Sequence, residues 1–421
     1  MVSQSFTLAD GKRLLIRQPT PSELPSLNDF ISEIHESPGL GSWAGDVLSG
    51  RHPETPSDSA IIAVTTDGQI VGSVILVPQH WHYGVSIIPV GQLEAIGVAP
   101  AYRRQGLARA LLAATHVLSN QQGQMLQAIV GPPNLYRRFG YSYALRFRGG
   151  RVLSAEHKLP AASGYTARLA RLEDIPSLLA LNELAGERLS LRRQIDAARW
   201  AYDLQGHSPA SDAAVQLDVV CASDGAPLAY TRSFPMLWES ELSVIELALG
   251  EGEPAKIAAA LLAHWRKRHG VGLKSVAWEL DPEHPLFVAL WDHLETSRRP
   301  SAWYLRASNL PVVLARIAPT LAARLFRAGY APEGITLAIS TYDSGVHLAF
   351  NDAGVTVSDW EGAWYEADLA LPLDALLPLI TGYRGLEALL DSYPDLLVDS
   401  TVIPLVTTLF PPGQSHIVPL G

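Results

Sequence analysis

The chain has 421 residues, 48% of them hydrophobic and 18% charged, with a formal net charge of −10. That length exceeds one ordinary core and predicts two or three folded domains. An acidic chain without a long basic run argues against nucleic acid as a partner, and a single cysteine, Cys221, argues against a disulfide framework or Cys-based zinc spacing.

No run approaches the roughly 18 apolar residues that span a bilayer. Met1–Asp10 lacks the basic head and apolar run of a signal peptide. The chain therefore reads as cytoplasmic, with no membrane partner.

Phe6 to Gln18 predicts a strand pair around Asp10-Gly11, and Pro21 to Glu36 a helix capped by Ser22. Gly39-Leu40-Gly41-Ser42-Trp43-Ala44-Gly45 reads as a flexible loop. Ala60 to Thr65 and Ile70 to Val77 read as strands around Asp67-Gly68. His80-Trp81-His82-Tyr83 suggests half of a metal site, but it has no evident Asp, Glu or Cys partner. It reads as a substrate-side loop or plain surface, and no metal is expected.

A strand through Leu93-Glu94-Ala95-Ile96-Gly97-Val98 then leads to the turn Arg103-Arg104-Gln105-Gly106-Leu107-Ala108. Apolar residues at Leu107, Ala110, Leu111, Ala114 and Leu118 give the next segment a helical period. Gly106 and Ala108 leave room for a ligand to approach the backbone. The first amides of the helix have no partners within it and point out of the positive end of its dipole. Two arginines beside those amides make a diphosphate site. After a strand at Met125 to Val130 comes Gly131-Pro132-Pro133-Asn134-Leu135-Tyr136-Arg137-Arg138-Phe139-Gly140-Tyr141.

The spacing Arg-x-x-Gly-x-Ala in Arg103–Ala108 resembles the acetyl-CoA signature of the GNAT superfamily of N-acetyltransferases. The segment Gly131–Tyr141 resembles that family's closing segment, a short helix bearing a tyrosine and ending at Gly-aromatic. The resemblance implies acetyl-CoA bound by Arg103, Arg104, Gln105, Gly106, Leu107 and Ala108. It also implies pantetheine paired with backbone groups of Ile96, Gly97 and Val98, a further contact at Asn134, and Tyr136 as general acid.

Residues 163–308 read as a second, worn copy of residues 1–160. Strands are expected near Tyr165 to Leu169, Val215 to Ala222, Leu228 to Phe234 and Leu242 to Leu249. Helices are expected over Asp174 to Leu189 and Leu191 to Tyr202. Its turn, Gly250-Glu251-Gly252-Glu253-Pro254-Ala255, puts carboxylates where the first copy has arginines. They favour the helix but repel a diphosphate, and Pro254 removes a donor.

Residues 309–421 open with a helix over Leu310 to Ala328. Strands follow near Ile335 to Thr341, Gly345 to Asn351 and Gly354 to Asp359, then helices over Pro372 to Thr381, Gly385 to Ser392 and Thr401 to Leu409. The motifs Leu310–Pro319, Gly382-Tyr383-Arg384-Gly385-Leu386-Glu387 and Leu409-Phe410-Pro411 resemble the sterol-carrier-protein-like tail of acetyltransferases of the enhanced-intracellular-survival type. With that resemblance the expected fold is α/β with mixed sheets. It comprises two tandem acetyltransferase-type domains and a small sterol-carrier-protein-like α/β lid.

Transfer of an acetyl group to an amine also needs a base. Glu94 shares a strand face with Gln92 and Ile96, and is either that base or an exposed strand carboxylate. In the resembling family the C-terminal carboxylate serves as base. Here that is Gly421, at the end of Ser415-His416-Ile417-Val418-Pro419-Leu420-Gly421, without the family's bulky aromatic last residue. The expected activity is acetyl-CoA-dependent N-acetylation of a primary amine, on a small molecule or a lysine side chain. The family's rings and dimers imply a homo-oligomer. The alternative is a non-catalytic acyl-CoA- or lipid-binding protein.

Overall fold

The computed structural model describes residues 2–295 and 297–419. Its α/β architecture is built on three sheets. The first runs Ser3–Thr7, Arg13–Arg17, Ala60–Val64, Ile70–Tyr83, Ser86–Val98, Leu126–Ile129, Ser301–Ala307, Ser142–Phe147. The strand Leu189–Arg193 joins it antiparallel to the far end of Ile70–Tyr83, and Gln414–His416 lies parallel to Leu189–Arg193. The second sheet runs Arg151–Ser154, Ser275–Trp278, Glu241–Leu249, Pro227–Ser233, Gln216–Cys221, Thr166–Leu169. The third is built on Gly354–Asp359, Gly345–Asn351 and Thr336–Ser340, with two short strands at its edge.

The sheets exchange strands across the expected limits at 160 and 308. Ser301–Ala307 inserts antiparallel between Leu126–Ile129 and Ser142–Phe147. Arg151–Ser154 leaves the first segment to edge the second sheet beside Ser275–Trp278. The third segment has a sheet of its own and shares a core with the first sheet. Its helix Leu310–Arg327 buries Val313, Leu314, Ile317 and Leu321 in one core with Ile88, Val90 and Trp303 of the first sheet and Leu337, Ile339 and Leu348 of the third.

Both faces of the first sheet are covered. Helix Leu107–Gln121 buries Leu107, Leu111, Leu112 and Leu118 against Val71, Leu76 and Leu93. Each such side chain contributes about 1.5–3 kcal/mol on leaving water. On the other face, helices Leu24–Ile34 and Pro38–Leu48 bury Leu27, Ile31, Trp43 and Val47 against Ile62, Ile75 and Val77.

Pro38–Leu48 is the segment expected as a glycine-rich loop. Gly41 and Gly45 are contact points between the two helices: a Cβ on Gly41 would meet Ser32 Oγ at 1.9 Å, and one on Gly45 would meet Asn28 Nδ2 at 2.8 Å. Close approach outweighs the intrinsic helix penalty of glycine, about 1 kcal/mol each. The expected helix Leu191 to Tyr202 is instead the strand Leu189–Arg193 followed by helix Ala197–Gln205. His80-Trp81-His82-Tyr83 is not a loop, although its histidines reach the surface, His80 exposed and His82 half-buried. It ends the strand Ile70–Tyr83, with Trp81 and Tyr83 buried. Cys221 is buried in the strand Gln216–Cys221, within the strand expected near Val215 to Ala222.

The first two sheets share a local device. Arg17 donates both guanidinium nitrogens to Glu23, whose carboxylate accepts the backbone N–H of Thr20. Arg168 does the same to Asp174, which accepts the N–H of Arg171. In each case the arginine lies at or next to the end of a strand and the carboxylate precedes a helix, with the same spacing between them. Thr20 and Glu23, not Ser22, therefore hold the first helical entry.

Among the described residues no helix is long and apolar enough to cross a membrane, and no group of three His, Cys, Asp or Glu side chains is placed to hold a metal ion.

Candidate active site

The antiparallel ladder between Ile70–Tyr83 and Ser86–Val98 slips where Ser73↔Gly97 gives way to Ile75↔Glu94, so Ala95 and Ile96 together oppose Val74. Ala95 takes a left-handed φ of 49°, and Ser73 Oγ donates to its carbonyl at 3.2 Å. Such a bulge bends its strand and re-aims its side chains. On the other side, the parallel pairing with Leu126–Ile129 ends at Gln92↔Ala128. Past that pair a cleft of about 520 Å³ opens, with Leu93–Val98 on one wall and Ile129–Pro132, Leu135 and Tyr136 on the other.

Ile34, His35 and Leu40 close the cleft from the helical side, and Arg103 and Ala108 stand at its mouth. Gly97 is needed for this closure, because a Cβ there would meet Ile34 Cγ2 at 2.4 Å. Burial holds the His35 imidazole below its ordinary range.

At the mouth, Gly106 caps helix Leu107–Gln121 with a left-handed φ of 83° and without a side-chain cap bond. Arg104 is also left-handed, at φ 60°, and Arg103 Nε donates to the Val98 carbonyl at 2.9 Å. Arg103, Arg104, Gly106 and Ala108 are exposed, Gln105 is half-buried, and Leu107 anchors the turn in the core. The result is a cationic rim around amides that have no intrahelical acceptor.

Tyr136 lies in the short helical turn Tyr136–Phe139, which closes at Gly140 with φ 82°. Its ring packs edge-on against Tyr304, with centroids 5.4 Å apart, and against Tyr141 at 5.9 Å. A Cβ on Gly131 would come within 2.5 Å of its Cε2, so glycine there is a steric requirement of the ring's position. Burial, then the charges of Glu94 and Tyr304, push the Tyr136 phenol up to about 12.

The structure thus gathers Glu94, Ile96, Gly97, Val98, Arg103, Ala108 and Tyr136 along one cleft. Asn134 does not line it: at φ 63°, its backbone N–H donates to Tyr304 Oη at 2.6 Å. Gly421 lies outside the described residues. Sequence reasoning missed His35 and Tyr304. Tyr304 sits on the inserted strand, far along the chain from Tyr136, and no local pattern announces it.

The second turn is arranged differently. The Tyr165 hydroxyl accepts the Glu253 N–H at 3.2 Å, Pro254 occupies the first helical position, and Lys256 pairs with Glu253 at 2.6 Å.

Residues 16–144 match the acetyltransferase (GNAT) domain family. The uncharacterized N-acetyltransferase YhbS of Escherichia coli (strain K12) is 26% identical over 136 residues, which cover 31% of this chain and 75% of that protein. Two solved structures match almost end to end, each over 96% of this chain. A GCN5-related N-acetyltransferase from Anabaena variabilis has a TM-score of 0.72 at 16% identity over 99% of its length. Eis1 from Mycobacterium abscessus has a TM-score of 0.63 at 17% identity over 98% of its length. Residues 16–144 are thus similar to an acetyltransferase (GNAT) domain, and the chain as a whole shares the fold of these solved structures.

Proposed function

We propose that the protein is an acetyl-CoA-dependent N-acetyltransferase acting on a primary amine, carried by a small molecule or a lysine side chain. The observation that carries this reading is one cleft with a cationic, uncapped helix N-terminus at its mouth and Glu94 and Tyr136 along its length. Arg103, Arg104 and the amides from Gln105 to Ala108 would hold the diphosphate of acetyl-CoA. The backbone of Ile96, Gly97 and Val98 would pair with its pantetheine arm. The bound co-substrate supplies the acetyl group as a thioester.

The chain's own residues handle two protons. An alkyl amine is mostly protonated at neutral pH. Glu94 takes the proton from the amine nitrogen, directly or through water, and frees its lone pair. Tyr136 presents its hydroxyl to the departing sulfur. Its proton is held more tightly than an ordinary phenol's, so it acts by hydrogen bonding rather than by full transfer. The walls of the cleft around Glu94 are mostly apolar.

We read residues 1–160 and 163–308 as a duplicated unit with one active member, exchanging edge strands. The residues 309–421 form the sterol-carrier-protein-like part. The paired devices Arg17–Glu23 and Arg168–Asp174 support the duplication.

The test is release of free thiol from acetyl-CoA by the purified chain across a panel of amines. Thiol release that depends on one class of amine supports the reading. Tight acetyl-CoA binding without thiol release from any amine would favour an acyl-CoA-binding protein instead.

A further inference from the structure

A one-way chain of hydrogen bonds ends on Glu94. The Trp81 indole N–H donates to Gln79 Oε1 at 2.7 Å, the Gln79 amide donates to Gln92 Oε1, and the Gln92 amide donates to Glu94 Oε1. Alternation along the two strands puts all four side chains on one face of the sheet. Trp81, Gln79 and Gln92 are each 1% exposed or less. An indole nitrogen only donates. Gln79 must therefore turn its oxygen to Trp81 and its amide to Gln92, and Gln92 must in turn aim its amide at Glu94. The polarity is set at the buried end and delivered at the cleft.

We propose that Gln92, oriented by Gln79 and Trp81, is a positioning residue for Glu94: it fixes the carboxylate in the cleft and holds it in its proton-accepting form. A buried polar chain in a sheet core costs desolvation at every link unless each group is satisfied. This one spends its last donor on a cleft carboxylate, and a donor to the charged form of a carboxylate favours that form. The other titratable groups lining the cleft with Glu94 are Tyr136 on the far wall, His35 at the helix end and Arg103 at the mouth.

The inference rests on Glu94 being the base, and a readout independent of the amine separates the two. In protein labelled at the glutamate carboxyl carbons, NMR titration follows Glu94, assigned by its loss in Glu94→Gln. Gln92→Met keeps the side chain's length and removes the donor, so the Glu94 midpoint should rise by about one pH unit. Gln79→Met should raise it less, because Gln92 keeps its amide but loses its fixed orientation. A titration unmoved in both folded variants overturns the proposal, whatever the activity. If the midpoint moves but Glu94→Gln keeps full turnover, the positioning stands and the base assignment falls. Should Gln92→Met not fold, Gln79→Met alone decides, by the same shift or its absence.

Discussion

The hydroxyl of Tyr165 accepts the backbone N–H of Glu253 at the start of helix Pro254–His269. At the start of helix Leu107–Gln121 the amides lie instead beside Arg103 and Arg104. At Pro254–His269 a protein hydroxyl takes an amide and Glu253 supplies negative charge. Each chain is therefore expected to bind one acetyl-CoA. Calorimetric titration should give one site per chain, and two equivalent sites would refute the reading. Tyr165→Phe should not create a second site, because the carboxylates and Pro254 remain.

Arg104 combines an exposed cation with left-handed backbone. A charge-assisted contact contributes about 1.5–3 kcal/mol. Arg104→Ala should therefore weaken acetyl-CoA binding by roughly ten- to a hundredfold. Arg104→Gly separates charge from strain. Glycine adopts this φ without penalty, so the melting temperature should hold or rise while affinity falls as in the alanine variant. Unchanged affinity in both variants would remove Arg104 from the site.

Tyr136→Phe should lower turnover by about 10²–10⁴-fold while leaving acetyl-CoA affinity nearly intact. The packing against Tyr304 and Tyr141 survives the change. Because the phenol is pushed up to about 12, the pH–rate profile should show no loss attributable to Tyr136 ionisation between pH 7 and pH 10. Turnover within a factor of two of the parent would leave Tyr136 as a packing residue.

The Arg17–Glu23 bracket predicts acid-sensitive stability. Hydrogen bonding from Arg17 holds the Glu23 carboxyl at about 2, below its ordinary range. A folded-state value lower than the unfolded one stabilises the fold above the ordinary range, and the contribution is lost as pH falls through about 2. Glu23→Gln should thus cost about 1–3 kcal/mol at pH 7 and progressively less as pH falls. Equal destabilisation at pH 7 and pH 3 in denaturant titrations would show that the bracket acts by packing rather than by charge.

What the sequence disclosed was local. The turn Arg103–Ala108 and the segment around Tyr136 work through neighbours in the chain, so residue types at short spacing reveal them. The helix Pro38–Leu48 was hidden because Gly41 and Gly45 answer to Ser32 and Asn28 on another helix. The strand Leu189–Arg193 was hidden because Arg192 and Arg193 suggest an exposed helical face. Instead Arg193 is 6% exposed and paired with Glu54, and Arg192 is paired with Glu183. The insertion of Ser301–Ala307, which brings Tyr304 to Tyr136, is a long-range pairing with no signature at either end.

The base decides between a strand carboxylate and the end of the chain. Glu94 stands in the cleft at the end of a buried hydrogen-bond chain. Upstream of Gly421, Ser415–Pro419 line one pocket with Arg146, Phe147 and Glu279. A terminal carboxylate has an intrinsic pKa of about 3.3–3.7 and needs burial to work as a base near pH 7. If Glu94 is the base, Glu94→Gln should lower kcat by about 10²–10⁴-fold with acetyl-CoA affinity preserved. Appending a few residues after Gly421 should then change kcat less than threefold. The reverse pattern, an extended chain that folds and binds acetyl-CoA but does not turn over beside an active Glu94→Gln, would move the base to the Gly421 carboxylate. Full activity in both variants would leave proton removal to water held in the cleft, and neither carboxylate would be the base.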